Sequence, residues 1–155
     1  MHTLTIRKME ETDKEFIVGL STRFTDFDFM AWRDPQVMKD AQLKMAVEAV
    51  GSNDPDSDIF VVEDELKNLL GFLHMTKNID YFTGEAQGYI SSIAVSKEGE
   101  GRGIARKLME KAEEWTKSKG YKQLTLNVFA QNERAIKLYE KFNFENEIVK
   151  MVKEL

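Results

Sequence analysis

The sequence predicts a single α/β (α+β) domain over residues 1–155 with a mixed, twisted sheet, and three observations carry that expectation. Short runs of alternating or β-branched apolar residues recur along the chain. Between them lie segments with apolar residues every three or four positions, the spacing of one helix face. At the centre, a strand, a glycine-rich turn, a helix and a strand follow one another. That unit is a βαβ crossover, whose strands run parallel because the helix returns the chain to the same end of the sheet.

The elements follow in order β-α-α-β-β-β-α-β-α-β. Leu4 and Ile6 alternate with polar residues as a first strand, and Thr12-Asp13-Lys14-Glu15 has the spacing of a capping box ahead of Phe16, Ile17 and Leu20. Asp34-Pro35 supplies an N-cap and a first-turn proline for a second helix, with Met38, Ala41, Met45 and Ala49 at helical spacing and Gly51 past its end. IFVVE (59–63) and LLGFLHM (69–75) flank the charged turn DELKN as a hairpin. A fourth strand, GYISSIAV, covers 88–95. After the glycines, Ile104, Leu108, Ala112 and Trp115 fall on one stripe, and Gly120 ends that helix. Leu124, Leu126 and Val128 alternate as a fifth strand. Asn132 caps a last helix carrying Ala135, Leu138, Tyr139 and Phe142, and a final strand pattern occupies roughly 144–153.

Composition narrows the chemistry. With 42% apolar and 32% charged residues the chain has the balance of a soluble globular protein. The absence of cysteine excludes disulfides, a thiol nucleophile and thiolate metal sites, and two histidines far apart, His2 and His74, do not suggest zinc, so no metal is expected. The sequence shows no apolar run of membrane-spanning length and no signal-peptide pattern, so a cytoplasmic protein without membrane contact is expected. Residues 1–96 hold 9 Lys+Arg against 17 Asp+Glu, and residues 97–155 hold 13 against 10. An anionic ligand suits the C-terminal part and a cationic one the N-terminal part. A nucleic-acid binder normally carries a basic excess, which is missing here, so no nucleic-acid partner is expected.

The glycines at 99, 101 and 103 cost helix stability and therefore need a reason. Helix N-termini present backbone N–H groups without intrahelical partners and about half a positive charge, which suits phosphate. Glycine lets the backbone turn sharply and lets a ligand come close. Arg102 and Arg106 add charge at the same end, whereas a purely structural turn explains only a bend. A P-loop is excluded because neither Gly99 nor Gly101 has a glycine five positions on. A dinucleotide fingerprint fails at Ile104 and Arg106, and the next strand ends without a carboxylate.

IAVSKEGEGRGIARKLM, followed by NVFAQNERAIKLYEKFNF, resembles the acetyl-CoA-dependent GNAT superfamily of N-acetyltransferases. The resemblance spans about 93–144 in motif detail and implies a GNAT-like fold with helices on both faces of the sheet. The family's loop pattern, [QR]-x-x-G-x-[GA], falls on Glu100, Gly101, Arg102, Gly103, Ile104 and Ala105, whose amides the resemblance assigns to the CoA pyrophosphate. Glu100 departs from the usual Gln or Arg, so it is expected to contribute only its backbone, with Arg102 and Arg106 supporting the anion.

The same resemblance implies that the strand before the loop splays from its neighbour and offers Ile93, Ala94 and Val95 to the pantetheine arm. A purely residue-based reading of this trio is a buried strand. It assigns Asn132 to the cofactor as well as to the helix cap, and Tyr139 to protonation of the departing CoA thiolate; core packing is the residue-based alternative for Tyr139. The implied chemistry is direct attack of a primary amine, of a small molecule or a protein, on the thioester of acetyl-CoA. A non-catalytic acyl-CoA sensor is the rival reading, and a nucleotide-binding regulator a third. Many relatives keep a glutamate on the fourth strand as general base; here Ser91 and Ser92 stand there, and the base is unassigned, with Glu85 or a water as candidates. FTDFDFMAW (24–32) lies where the family builds its acceptor wall, so Asp26, Asp28 and the aromatic faces of Phe24, Phe27 and Trp32 could receive a cationic amine or simply pack between helices. His74 is expected to fill the sheet. A homodimer is expected from the family's habits.

Overall fold

The computed structural model describes residues 3–25 and 27–155, with Phe24 and Thr25 by backbone alone. Among the described residues five strands form one sheet in sequence order: β1 (Thr5–Lys8), β2 (Asp58–Glu63), β3 (Leu69–Ile79), β4 (Ala86–Val95) and β5 (Leu124–Leu126). Neighbours from β1 to β4 are antiparallel, and β4 and β5 are parallel. Helices α1 (Lys14–Leu20) and α2 (Pro35–Val50) come before β2, α3 (Ile104–Ser118) bridges the parallel pair, and α4 (Glu133–Lys141) follows β5. The sheet is mixed, as the sequence predicts.

Strand alternation sends successive side chains to opposite faces, and helices cover both. Phe60, Val62, Leu73, Met75 and Ile90 pack against Ile104, Leu108, Met109, Ala112 and Trp115 of α3, with Tyr139 and Phe142 of α4 at the margin. Ile59, Val61, Phe72 and Ala94 pack on the other side against Ile17 and Leu20 of α1 and Val50 of α2. The α3 stripe read from the sequence is thus the core stripe, and burying a large aliphatic side chain such as Ile104 or Leu108 stabilises the fold by about 2 kcal/mol. Trp115 also donates from Nε1 to Asp58 Oδ2 at 2.8 Å, fixing α3 to β2.

Four local expectations change. Thr12 does not cap α1 in a box with Glu15: the N-cap is Asp13, without a side-chain cap bond, and the Asp13 carboxylate accepts from the Glu10 N–H at 2.7 Å and from Arg7 at 2.7 and 3.1 Å, because the arginine draws it back toward β1. On α2 the buried positions are Met38, Ala46 and Val50, while Met45 is exposed. That helix also exposes Val37, Leu43 and Val47, so apolar residues lie on every side and spacing alone does not choose the buried face. The fifth strand stops at Leu126, before Val128.

The final strand expected over roughly 144–153 is absent, and residues 143–155 adopt neither helix nor strand. A strand exists only through ladder bonds to a neighbour, and among the described residues no segment of this chain pairs with the outer side of β5. Ile148, Val149 and Met151 are 76%, 73% and 89% exposed.

Candidate active site

The glycine loop forms as a sequence of constrained steps. After β4, the Ser96 hydroxyl accepts from the Gly99 N–H at 3.2 Å and caps the 3-10 turn Lys97–Gly99. A Cβ on Gly99 would lie 2.8 Å from the Leu70 carbonyl oxygen, so the close approach of loop and β3 needs glycine there. Gly101 and Gly103 have φ of 73° and 76°, the left-handed region that favours glycine. These turns aim the chain into α3, whose N-cap is Gly103 itself. A glycine cap has no side chain to offer, and the first helical bond runs from the Lys107 N–H to the Gly103 carbonyl at 3.1 Å. The amides of Ile104, Ala105 and Arg106 therefore lie ahead of the helix ladder with no side-chain cap, the arrangement that receives an anion.

The parallel pair opens beside this terminus. β4 pairs with β5 only from Gly88–Leu124 to Ile90–Leu126, although β4 runs on to Val95. From Ser91 to Val95 no strand among the described residues flanks β4 on the β5 side. Backbone direction follows from two bonds. Gly88 N–H donates to the Gln123 carbonyl and so faces β5, whereas Ser96 N–H donates to the Leu70 carbonyl and so faces β3. Both residues are even-numbered, so strict alternation would give them the same side; the extra residue at the bulge between the His74–Ser92 and Met75–Ile90 pairs reverses the parity. Consequently Ile93 and Val95 turn their N–H and C=O groups into the opening, and Ala94 turns its own toward β3.

Charges around the loop differ from the simple expectation. Arg102 reaches back to Asp64 in the β2–β3 turn at 3.8 Å, and Arg106 pairs with Glu110 along the helix at 3.1 Å. Asp64 is held below the usual carboxylate range, first by the backbone N–H of Asn68, and Arg102 adds to this. Glu100 is held by cations from two other elements: Arg23, in the 3-10 turn Ser21–Thr25, donates to its Oε1, and Arg134 on α4 stands 3.8 Å away. Arg23 beside it keeps this carboxyl below the usual range. Neither Arg23 nor Arg134 was singled out from the sequence. Arg134 lies two residues after the Asn132 cap, whereas Arg23 carries no local signal, because 77 residues separate it from Glu100.

The other residues distribute as follows. The Asn132 side chain accepts from the Ala135 N–H at 3.3 Å, capping α4. Tyr139 on α4 is half-buried, its ring 5.9 Å from Phe144, and burial raises its phenol above the ordinary value. Phe27 and Phe29 meet Phe129, which follows β5, at 5.9 and 5.2 Å between centroids, and Arg33 lies over both Trp32 and Phe129 at 4.2 and 5.4 Å. The aromatic stretch therefore packs on the β5–α4 loop, a partner the sequence did not suggest. Asp26, His2 and the side chain of Phe24 lie outside the described residues. His74 is buried, within 2.7 Å of the Ser57 hydroxyl and lining a small cavity with Ala46 and Ser92. Glu85 stands just before β4, at the end opposite the glycine loop, and is not brought to the opening. Among the described residues no group of three His, Asp or Glu side chains could hold a metal, and no helix is long and apolar enough to cross a membrane.

Comparison with known proteins agrees with this fold. The model of the acetyltransferase (GNAT) family matches residues 19–144. N-alpha-acetyltransferase 30 of Schizosaccharomyces pombe is 36% identical over 58 residues, which cover 37% of this chain and 39% of that protein. The uncharacterized N-acetyltransferase YycN of Bacillus subtilis is 28% identical over 105 residues, covering 68% of this chain and 66% of its own. The chain thus spans less than two thirds of the length of these curated relatives. Among solved structures, a Pyrococcus furiosus protein described as an acetyl transferase superposes with a TM-score of 0.79 at 25% identity, covering 99% of this chain and 100% of its own. The aminoglycoside N-acetyltransferase AAC(6')-Iy in complex with CoA gives 0.73 at 20% identity, covering 99% and 96%. With the family model running from the end of α1 to just beyond α4, the chain belongs to the GNAT acetyltransferase family.

Proposed function

We propose that this protein uses acetyl-CoA to acetylate a primary amine. The observation that carries the reading is the adjacency of two features: the uncapped N-terminus of α3 and the unpaired edge of β4 from Ser91 to Val95. The pyrophosphate of CoA fits the amides from Gly101 to Arg106, with Asn132, the cap of α4, as a further contact to the cofactor. Its pantetheine arm, which has the donor and acceptor pattern of a peptide, fits along Ile93 and Val95 as a strand would. One of those N–H groups can donate to the thioester oxygen as charge develops there, a contribution typically of about 3 kcal/mol.

The acceptor nitrogen attacks the thioester carbon with its lone pair, the carbon–sulfur bond breaks, and the sulfur leaves as a thiolate. Tyr139 gives its phenolic proton to that thiolate, and burial, which keeps the phenol protonated, suits the task. The amine's own proton passes to water, since Ser91 and Ser92 are not bases at neutral pH. A cationic acceptor is favoured by the acidic balance of residues 1–96 and by the segment carrying Phe27, Asp28 and Trp32 beside the opening.

The test is thiol release from acetyl-CoA with a panel of polyamines, aminoglycosides, amino acids and peptide amines. At least one amine is expected to accelerate release, and Tyr139→Phe to lower kcat by about 100-fold while CoA affinity stays within about twofold. Tight CoA binding with no amine giving turnover would replace this reading by that of an acyl-CoA sensor.

A further inference from the structure

We infer that Arg33 receives a carboxylate of the acceptor, so that the amine acetylated here belongs to a free amino acid. The inference rests on the proposed acetyl transfer and narrows its acceptor. It starts from one cation that lacks a counter-charge.

Arg7, Arg23, Arg102, Arg106 and Arg134 each have a carboxylate oxygen within 3.8 Å. Arg33 has none among the described residues, although Asp28 and Asp34 are close to it in sequence. The Asp34 carboxylate is engaged as the cap of α2, accepting from the N–H groups of Gln36 at 2.8 Å and Val37 at 3.4 Å. Arg33 is nonetheless held in place. Its guanidinium carbon lies 4.2 Å from the Trp32 ring centroid and 5.4 Å from that of Phe129, and Nη1 donates to the Met38 sulfur at 3.7 Å. Ring contacts of this kind use the charge without consuming an N–H donor. A thioether is only a weak acceptor, so the guanidinium keeps nearly all of its capacity to grip an anion with two parallel bonds.

The position suits an acceptor. β5 ends at Leu126, opposite Ile90, where the unpaired stretch of β4 begins. Phe129 follows Leu126 by at most about 10 Å of extended chain, which puts its ring and the guanidinium over it at the β5 lip of the opening. Arg33 is half-buried, while Trp32 and Phe129 are 39% and 37% exposed, so a small molecule can reach the group. One guanidinium with acidic residues close by in sequence matches the single charge of a carboxylate, not the nearly double charge of a phosphate monoester. Polyamines and aminoglycosides, cationic throughout, meet a like charge at Arg33. An amino acid offers both signs: its carboxylate to Arg33, its amine to the acidic N-terminal part and the thioester.

Turnover of acetyl-CoA is to be measured with the common amino acids, each beside its carboxamide, and with cadaverine and an aminosugar phosphate. At least one amino acid is expected to show a kcat/KM about 30-fold above that of its carboxamide. Arg33→Gln should reduce this ratio to about 3, Arg33→Lys should leave it in between, and CoA affinity should stay within about twofold in both. Loosening of the segment alone would lower both rates and leave their ratio unchanged. A second measurement needs no turnover. Trp32 fluorescence in the CoA-saturated protein, with the buried Trp115 as a constant background, should respond to the amino acid at about 30-fold lower concentration than to its carboxamide. Carboxamides, cadaverine or the aminosugar phosphate used as well as the acids would overturn the inference, as would a ratio unmoved by Arg33→Gln. If no amine gave turnover, the acetyl-transfer reading would fail on its own and the titration would decide: acid-selective binding lost in Arg33→Gln upholds the carboxylate site, and equal or no binding removes it.

Discussion

Arg23, in the turn after α1, donates a hydrogen bond to the carboxylate of Glu100 in the glycine loop. The contact joins the segment leading to α2 with the loop that opens α3, and Arg134 of α4 stands on the same carboxylate at 3.8 Å. An acid at the head of the proposed pyrophosphate loop is thereby turned toward two cations of neighbouring elements. Glu100→Gln removes that charge and weakens both ties. CoA affinity, followed by calorimetry at low salt, is expected to rise by about fivefold, because a negative charge near the pyrophosphate is gone. Amide exchange in residues 21–33 should speed up in the same variant. Unchanged exchange would mean that Glu100 does not hold the segment.

Phe129 is the other anchor of that segment, through Phe27, Phe29 and Arg33. Phe129→Ala removes two aromatic contacts and is expected to lower stability by about 1 kcal/mol. Amide exchange from 27 to 33 should increase, and KM for the acceptor should rise while CoA affinity holds. A fall in CoA affinity with acceptor KM unmoved would place Phe129 on the cofactor side.

Gly103, at φ 76°, separates stability from binding. Gly103→Ala forces a side chain into the left-handed region and should cost about 1–2 kcal/mol, read as a lower melting temperature. Gly103→Asp carries the same strain and adds a carboxylate beside the amides of Ile104 to Arg106, so CoA affinity should fall by more than about tenfold relative to Gly103→Ala. Equal affinities in the two variants would remove the pyrophosphate from this terminus.

His74 supplies a pH dependence. Burial pushes its imidazole below the ordinary 6.5, with Asp54 partly opposing. Above pH 6.5 neither folded nor unfolded chain holds the extra proton, and the histidine's contribution to stability is complete. As pH falls through 6.5 the unfolded chain protonates first and stability declines until the lower folded value is reached. Urea midpoints between pH 7 and 5 should therefore drop in the parent and drop less in His74→Gln. A ring titration by NMR at or above 6.5 would contradict this.

The glycine loop, the α3 stripe with Ile104, Leu108, Ala112 and Trp115, the Asp34 cap and the mixed sheet were legible because each rests on residues close together in sequence. Less was legible where one pattern serves several arrangements. α2 carries apolar residues on all sides, so which of them is buried depends on the sheet it meets. The pattern over 144–153 describes a strand correctly in composition, but composition supplies no partner for its backbone.

Local chemistry, then, was determined by the sequence alone: where the chain must turn, which helix begins on bare amides and which family the motif resembles. Tertiary structure decided the rest. It decided that one inserted residue at the β4 bulge faces Ile93 and Val95, not Ala94, into the opening, that Arg102 goes to Asp64, and that Arg23 meets Glu100. The physical reason is that backbone parity and ion pairing are set by contacts between residues distant along the chain, and these exist only once the sheet has brought them together.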